Sequence, residues 1–386
     1  MRVLNSLSDL NVMRILRLIF LEKKISRVDI ASKLGMDKST VTKITSELSA
    51  KKLISEAEAG ISGPQGGRKP VFLTLNAQYA CSGGIEINPE RFYAVITNFS
   101  GKVIFEYTEE IDPSDYKRLG LKGYFKKAYQ IIKKTSDEKN IKLVGIGCGF
   151  PGLIDFENGK IIKSIPLMIL KPVEFIKEIE KISDVPVFVD NDARCCCYTQ
   201  KFNFEKSGQQ KNIMYVLVQY RPQRPVKNSS KNISVGFAFS FNGKIYYGTD
   251  SYAGEFRSML WKNTSKNQFL SGTTGISKLS DLQKVTPVFK ELSKNVAFIV
   301  NTLNLDMVFV GGIDEKYTGE IVKNIKKDIA YLWPYGENIK PVIKSVSAEN
   351  RLVSVGAALM VLDKLLCIPE FNVSRKNSKE LSLELF

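Results

Sequence analysis

Apolar residues near the start of the chain recur at helical spacing. Val12, Ile15, Leu16 and Ile19 stand at i, i+3, i+4 and i+7, which places them on one face and predicts a helix over 9–21. The stretch ISRVDIASKLGMDKSTVTKITSELSAKKLISE follows. Ser26 opens a second helix, and Asp29 three positions later completes a Ser-x-x-Asp capping signal. Ile30 and Leu34 are its inward positions, and Gly35 ends it, because a left-handed C-terminal residue favours glycine. Asp37 caps a third helix whose apolar stripe is Val41, Ile44 and Leu48. Helix, short glycine-containing turn and helix make a helix-turn-helix unit. The outward side of the third helix carries Lys38, Ser39, Thr40, Thr42, Lys43 and Thr45, short or basic donors suited to base edges and phosphates. Arg27, at the head of the second helix, joins this candidate DNA-contacting set. Two strand-like runs, LISEAEAG and VFLTLN, flank GISGPQGGRKP. That segment is too rich in Gly and Pro for regular structure, and it reads as a hairpin wing with a basic tip at Arg68 and Lys69.

From Cys81 the period shortens. GGIEI, FYAVITN and GKVIFEYTEE are strand-like runs with turns at Asn88-Pro89 and Ser100-Gly101, and a helical stretch follows near 114–137. LVGIGCGFPGLIDFENGKII reads as a strand, a Gly- and Pro-containing turn and a hairpin. VPVFVDNDARCCCYTQ reads as a buried strand that ends in Asp190-Asn191-Asp192 and feeds a helix. NIMYVLVQY, NISVGFAFSFNGKIYYG and DMVFVGGI are further strands, with helices near 280–304, 317–333 and 350–364. Strand meanders followed by alternating helices predict a duplicated α/β architecture.

Composition narrows the chemistry. The 386 residues contain no His, which removes His-ligated zinc, Ser-His-Asp and Cys-His catalysis. Net charge is +16, and it is densest at the start, where residues 1–75 hold 13 basic and 7 acidic side chains. That density suggests a polyanion partner there. The six Cys form no C-x-x-C pair, and Cys195, Cys196 and Cys197 are consecutive, so they read as small core residues in a reducing compartment. No leader-like segment and no apolar run of membrane-spanning length is present, which predicts a cytoplasmic protein.

Ordered along the chain, these motifs resemble the ROK (repressor, open reading frame, kinase) family. ISRVDIASKLGMDKSTVTKI and GGRKPVFLTLN look like the helix-turn-helix and wing of its repressors. GFPGLIDFENGKI resembles the family's Pro-Gly-x-x-Asp hairpin, VDNDARCCCY the segment that holds the kinases' catalytic Asp, and NGKIYYGTDSYAGEF the Gly-Glu sugar-contact segment. NLDMVFVGGI and SVGAALMV match its late Gly-Gly turn and closing helix. The resemblance implies an α/β fold: an N-terminal winged helix-turn-helix, then a two-lobed actin/hexokinase-like (ribonuclease H-like, sugar-kinase) domain. The expected boundaries are 1–76 for the winged helix, 77–200 for the first lobe, 201–367 for the second with its last helix returning to the first, and 368–386 for a polar tail.

Departures from the family pattern decide the expected activity. The kinases' first hairpin carries Asp-x-Gly-Gly-Thr, whose glycines admit ATP phosphates. Here Asn88-Pro89-Glu90-Arg91 stands in its place, and Pro89 offers no N–H while Glu90 repels phosphate. A second Gly-rich turn aligns with Ser234, Gly236 and Ala238, with two of its three glycines replaced, after the basic stretch RPQRPVKNSSKN. The family's zinc-binding His aligns with Arg257, and no Cys lies between 198 and 366, so no metal or other cofactor is expected. Asp192 keeps the position of the kinases' base and becomes a vestigial one. The implied sugar-contacting set is Asn191, Asp192, Glu255 and Arg257, while Asp-Asn-Asp at a strand end also suits a helix cap. Arg194 and Arg257 near the ligand would suit an acidic or phosphorylated sugar. The resemblance therefore implies a sugar-responsive DNA-binding regulator, a homo-oligomer on a palindromic operator of double-stranded DNA with a carbohydrate or sugar-phosphate effector. An ATP-dependent sugar kinase with a DNA-binding domain and a constitutive regulator with a dead sugar cleft are the alternatives.

Overall fold

The structure, a computed structural model, describes residues 7–57, 71–204, 211–221, 233–263, 265, 267–272, 276, 278–335, 341–347 and 351–367. The chain opens with α1 (Leu7–Glu22), β1 (Ile25–Ser26), α2 (Arg27–Leu34), α3 (Lys38–Ala50), β2 (Ile54–Ala57) and β3 (Phe72–Leu75). The strands form an antiparallel sheet in the order β1-β3-β2. Ile15, Leu16, Ile19, Ile30, Val41 and Leu73 are completely buried and make its core. The Ser26 hydroxyl accepts the Asp29 N–H at 3.1 Å and donates to the Asp29 carboxylate at 2.6 Å, so the expected capping pair is present. Gly35 takes φ 62 as the C-terminal cap of α2. Three expectations change. Leu34 is half-buried rather than inward. Asp37 stands at the N-cap of α3 without a side-chain capping bond, and only its carbonyl opens the helix, accepting from the Val41 N–H at 3.1 Å. Thr45 is buried, not outward, because position i+4 from Val41 lies on the apolar stripe; its hydroxyl donates to the Val41 carbonyl at 2.8 Å. Arg68 and Lys69, the stretch 222–232 and the tail 368–386 lie outside the described residues.

The chain then divides into two compact units. Over the described residues the first runs to Cys195 and resumes at Val353, and the second spans Cys196–Phe204 and the residues up to Leu352. The first contains β4 (Cys81–Ile87), β5 (Arg91–Asn98), β6 (Val103–Glu110), α4 (Pro113–Glu138), β7 (Leu143–Phe150), the hairpin β8 (Leu153–Asp155) and β9 (Lys160–Lys163), α5 (Phe175–Ile179), β10 (Val187–Asn191) and the start of α6 (Asp192–Phe204). Its five-stranded sheet has the order β10-β7-β4-β5-β6. β4, β5 and β6 are an antiparallel meander, whereas β7 runs parallel to β4 and β10 parallel to β7. Phe92, Phe125, Phe150 and Phe175 are fully buried in its core, with Phe150 and Phe175 meeting edge to face at 5.0 Å. The helix α4 is broken where Gly120 takes φ 61.

The second unit repeats this topology. It holds β11 (Ile213–Tyr220), β12 (Ile233–Phe241), β13 (Lys244–Tyr246), α7 (Leu282–Leu303), β14 (Met307–Gly311), α8 (Glu315–Leu332) and β15 (Val342–Ser345). The sheet order is β13-β12-β11-β14-β15, again an antiparallel meander followed by two parallel additions. The predicted duplication is therefore visible strand by strand. The last helix, α9 (Leu352–Leu365), belongs to the first unit from Val353 onward. It rides on the pair Gly84 and Gly147, which face each other in the β4–β7 register. A Cβ on Gly84 would meet the Ser354 carbonyl at 1.9 Å, and one on Gly147 the Ala357 carbonyl at 1.9 Å. Among the described residues no helix is long and apolar enough to cross a membrane.

Candidate functional site

The helix α3 has two faces. Val41, Ile44 and Leu48 are buried, while Lys38, Ser39, Thr42 and Lys43 are exposed and Thr40 is half-buried. The exposed set lies in the first turns, where free backbone N–H groups and the helix dipole favour anions. Thr42 donates to the Lys38 carbonyl at 2.7 Å. Arg27 is held on two sides: its Nε donates to Thr45 Oγ1 at 3.1 Å and its Nη2 to Glu56 at 3.2 Å. The side chain of Arg14 on α1 closes the C-terminal end of α2, donating to the Leu34 carbonyl at 3.1 Å. The three helices are thus tied by polar contacts as well as by their core.

In the first unit, Asn191 and Arg194 meet the turn and hairpin that follow β7. Asp190 is fully buried and Arg194 is 3% exposed. The Arg194 Nε donates to Asp190 at 2.5 Å and its Nη2 to the Ile154 carbonyl at 3.2 Å. This corrects the expectation that Arg194 offers a cation to the ligand: its charge is spent within the fold on a buried carboxylate. The side chain of Asn191 serves as the cap of α6, accepting the N–H groups of Ala193 at 2.9 Å and Arg194 at 3.4 Å. Its Nδ2 donates to the Gly152 carbonyl at 2.9 Å. Gly152 takes φ 118, and a Cβ there would lie 2.4 Å from the Lys163 carbonyl, so only glycine lets the turn close on β9. Asp192 is 6% exposed and accepts the Ala193 N–H at 2.9 Å.

The first hairpin is closed by its own side chain. Asn88 Oδ1 accepts the N–H groups of Glu90 at 3.1 Å and Arg91 at 3.0 Å, and Asn88 Nδ2 donates to Glu86 at 3.2 Å. The turn's amides are engaged within the hairpin.

In the second unit, Ser234, Gly236 and Ala238 do not form a turn. They sit inside β12 in regular register with Gln219, Leu217 and Tyr215 of β11, because the ladder hydrogen bonds extend through all three. The segment bearing Glu255 and Arg257 is fixed to this strand. The Phe237 N–H donates to the Gly254 carbonyl at 2.9 Å, Gly236 bridges Glu255, and a Cβ on Gly254 would meet the Phe237 carbonyl at 2.0 Å. Both Glu255 and Arg257 are exposed, and the Arg257 guanidinium stacks 4.3 Å from the Trp261 ring centre. Three polar residues that sequence reasoning missed hold the following segment. Gln268 spans the backbones of Val235 and Phe256. Asn295 accepts the Met259 N–H at 2.8 Å, and the Glu291 carboxylate accepts those of Leu270 and Ser271 at 2.8 Å each. Burial pushes the Glu291 carboxyl up, but hydrogen bonds from Ser258, Ser271 and the Leu270 amide outweigh it and hold the group below its usual range. Glu291 and Asn295 stand i, i+4 on the buried side of α7, a polar pair inside an apolar stripe and the one signal that would have found them.

Cys195, Cys196 and Cys197 are buried. Burial pushes the Cys148 thiol up and the Cys81 thiol to about 12, which suits inert core residues. Among the described residues no cluster of His, Cys, Asp or Glu could hold a metal ion.

Comparisons with known proteins agree with this layout. The model of the ROK family matches residues 84–267. A xylose repressor of Caldicellulosiruptor bescii is 23% identical over 418 residues, covering 95% of this chain and 98% of that protein. A solved ROK family transcriptional regulator, a homolog of the E. coli MLC protein, superposes with a TM-score of 0.65 at 17% identity, over 93% of this chain and 97% of its own. The ROK hexokinase of Thermus thermophilus gives a TM-score of 0.52 at 15% identity, over 72% of this chain and 97% of its own.

Proposed function

We propose that this chain, which carries a ROK family domain over residues 84–267, is a sugar-responsive transcriptional repressor. The observation that carries the reading is the exposed, basic N-terminal half of α3, joined in one chain to that domain. Its similarity to a xylose repressor over nearly the full length of both proteins supports it. In this reading residues 1–76 are a winged helix-turn-helix. The helix α3 enters the major groove with Lys38, Ser39, Thr40, Thr42 and Lys43, Arg27 meets the backbone, and Arg68 and Lys69 reach the neighbouring groove. Two copies would bind a palindromic operator.

The ROK domain acts as a sensor rather than a kinase. What supports this is the closed first hairpin: Asn88 consumes the Glu90 and Arg91 amides that a phosphate would need, and Pro89 has none. In this reading Asp192, at the place of a kinase base, accepts a hydrogen bond from a sugar hydroxyl, and Asn191 donates its remaining amide hydrogen. Glu255 and Arg257 are the further sugar contacts that the resemblance implies. With Arg194 neutralised by Asp190, a neutral sugar such as D-xylose fits better than a phosphosugar.

The test is fluorescence anisotropy on DNA from upstream of the protein's own gene, titrated with D-xylose, N-acetylglucosamine and their phosphates. The expected result is DNA affinity that changes with one neutral sugar, and Lys43→Ala weakening DNA binding with sugar binding intact. Affinity indifferent to every sugar would count against an effector. ATP-dependent sugar phosphorylation that disappears in Asp192→Asn would replace the sensor with an enzyme.

A further inference from the structure

The candidate DNA-reading helices and the candidate ligand residues of the first unit are joined by one element, α9. Arg17 of α1 donates to Asp363 at 2.6 Å, the two side chains being 16% and 22% exposed. Arg17 lies one turn from Arg14, which holds the end of α2. Whatever displaces α1 therefore displaces the body that carries α3. Asp363 stands in the last turn of α9, where the helix dipole disfavours a carboxylate. Its place there is poorly explained by α9 alone and well explained by the cation it meets.

The other contacts of α9 lead to the ligand residues. Its backbone lies directly on Gly84 and Gly147, with Ser82 donating to the Ala358 carbonyl at 2.9 Å. At its start, Val353 faces Gly149, where an added Cβ would come within 2.4 Å of Val353 and 3.1 Å of Cys195 Sγ. Cys195 is three residues from Asp192. At its end, Lys364 lies 3.9 Å from the ring centre of Phe156 and 5.3 Å from that of Phe188. Phe188 is on β10, three residues before Asn191, and Phe156 follows β8, in the hairpin whose Gly152 bonds Asn191. Both β10, which ends in Asn191, and the hairpin bonded to Asn191 thus touch α9 through Lys364, and the residue beside Lys364 is Asp363. A helix packed without slack transmits a shift rather than absorbing it.

We propose that Arg17 and Asp363 are a positioning pair through which α9 sets the DNA-reading helices, so that a ligand at Asn191 and Asp192 changes operator affinity by way of this contact. The inference rests on the function proposed above. Neither residue belongs to the proposed DNA-contacting or sugar-contacting set, so removing the pair should alter the coupling between the two sites and leave each site's chemistry in place.

The experiment compares wild type with Arg17→Asp, Asp363→Arg and the double exchange, each checked for an unchanged melting profile. D-xylose affinity is measured by calorimetry, and affinity for the upstream DNA by anisotropy with and without saturating D-xylose. The single variants are expected to bind D-xylose within about twofold of wild type, since neither residue belongs to the proposed sugar-contacting set. The sugar-induced change in DNA affinity should shrink towards none, and the double exchange should recover most of it. Single variants that respond like wild type overturn the proposal, as does a folded double exchange no better than the singles. If wild type binds this DNA but not D-xylose, the functional reading loses its effector, and the pair is judged on DNA affinity alone. A change in the singles of about fivefold or more that the exchange reverses sustains it; an affinity unmoved in all three overturns it.

Discussion

The guanidinium of Arg194 lies 2.5 Å from a fully buried Asp190, and the two form a unit whose parts are unsafe to remove singly. Arg194→Met should destabilise the protein by about 3–5 kcal/mol in urea unfolding, because it leaves an uncompensated buried carboxylate. The paired change Asp190→Asn with Arg194→Met should cost clearly less. If the single and double variants unfold alike, the ion pair is not what holds Asp190. Glu291 gives a pH signature of a known sign. Its carboxyl is held below the usual carboxylate range, so the folded state binds the proton less readily than the unfolded chain. The stability it contributes is complete above the unfolded value of about 4.3 and is lost as pH falls through the lower folded value. Glu291→Gln should therefore flatten the fall in stability below that pH, as read from denaturation midpoints at stepwise lower pH. An unchanged profile would assign the acid sensitivity elsewhere.

Two glycine classes separate at the level of elements. Gly84 and Gly147 admit α9 to the sheet, and a methyl group on either would sit 1.9 Å from a carbonyl oxygen of that helix. Gly147→Ala should cost at least about 2 kcal/mol, since backbone must move. Gly35 has open space around its Cβ position and only its φ of 62 to defend, so Gly35→Ala should cost about 1–2 kcal/mol. Equal losses in thermal melts would deny that α9 rests on the sheet by its backbone. The same distinction explains what could be read in advance. The helices α1, α2 and α3 and the meander β4–β6 were legible because each is long enough to show its period, and the Ser26 cap and Gly35 stop are local signals. The strands β1 (two residues) and β15 (four) and the helix α5 (five) are too short for a period, and they exist because β3, β14 and the first unit's core bind them. At the candidate site, Asp-Asn-Asp was legible as a strand end that feeds a helix, but the partners of its side chains were not. Asp190 is paired with Arg194 and Asn191 caps α6, an arrangement held by Gly152 and Ile154, which the fold supplies from elsewhere. Thr45 failed for a similar reason: a hydroxyl on the apolar stripe is acceptable once the Val41 carbonyl and Arg27 satisfy it.

At the scale of the whole molecule, the net charge of +16 poses the question of where DNA affinity resides. A diffuse positive field and a focused contact both weaken binding as salt rises, but they differ in which lysines set the slope. If the chain binds as a dimer that neutralises 6–10 phosphates, affinity for the upstream DNA should fall by about 10³–10⁵ between 50 and 200 mM salt. The exposed Lys38 and Lys43 belong to the proposed contact, whereas Lys323 and Lys327, also exposed and on α8, belong to the general surface charge. Leaving one phosphate without its cation changes the logarithmic slope by about 0.9, and in a two-fold assembly each substitution does so twice. Lys38→Ala and Lys43→Ala should each flatten the slope by about 1–2 where the side chain meets phosphate. The double variant Lys323→Ala with Lys327→Ala removes more charge and should leave the slope unchanged. The reverse pattern would mean that the excess charge of the α/β region, not α3, holds the DNA.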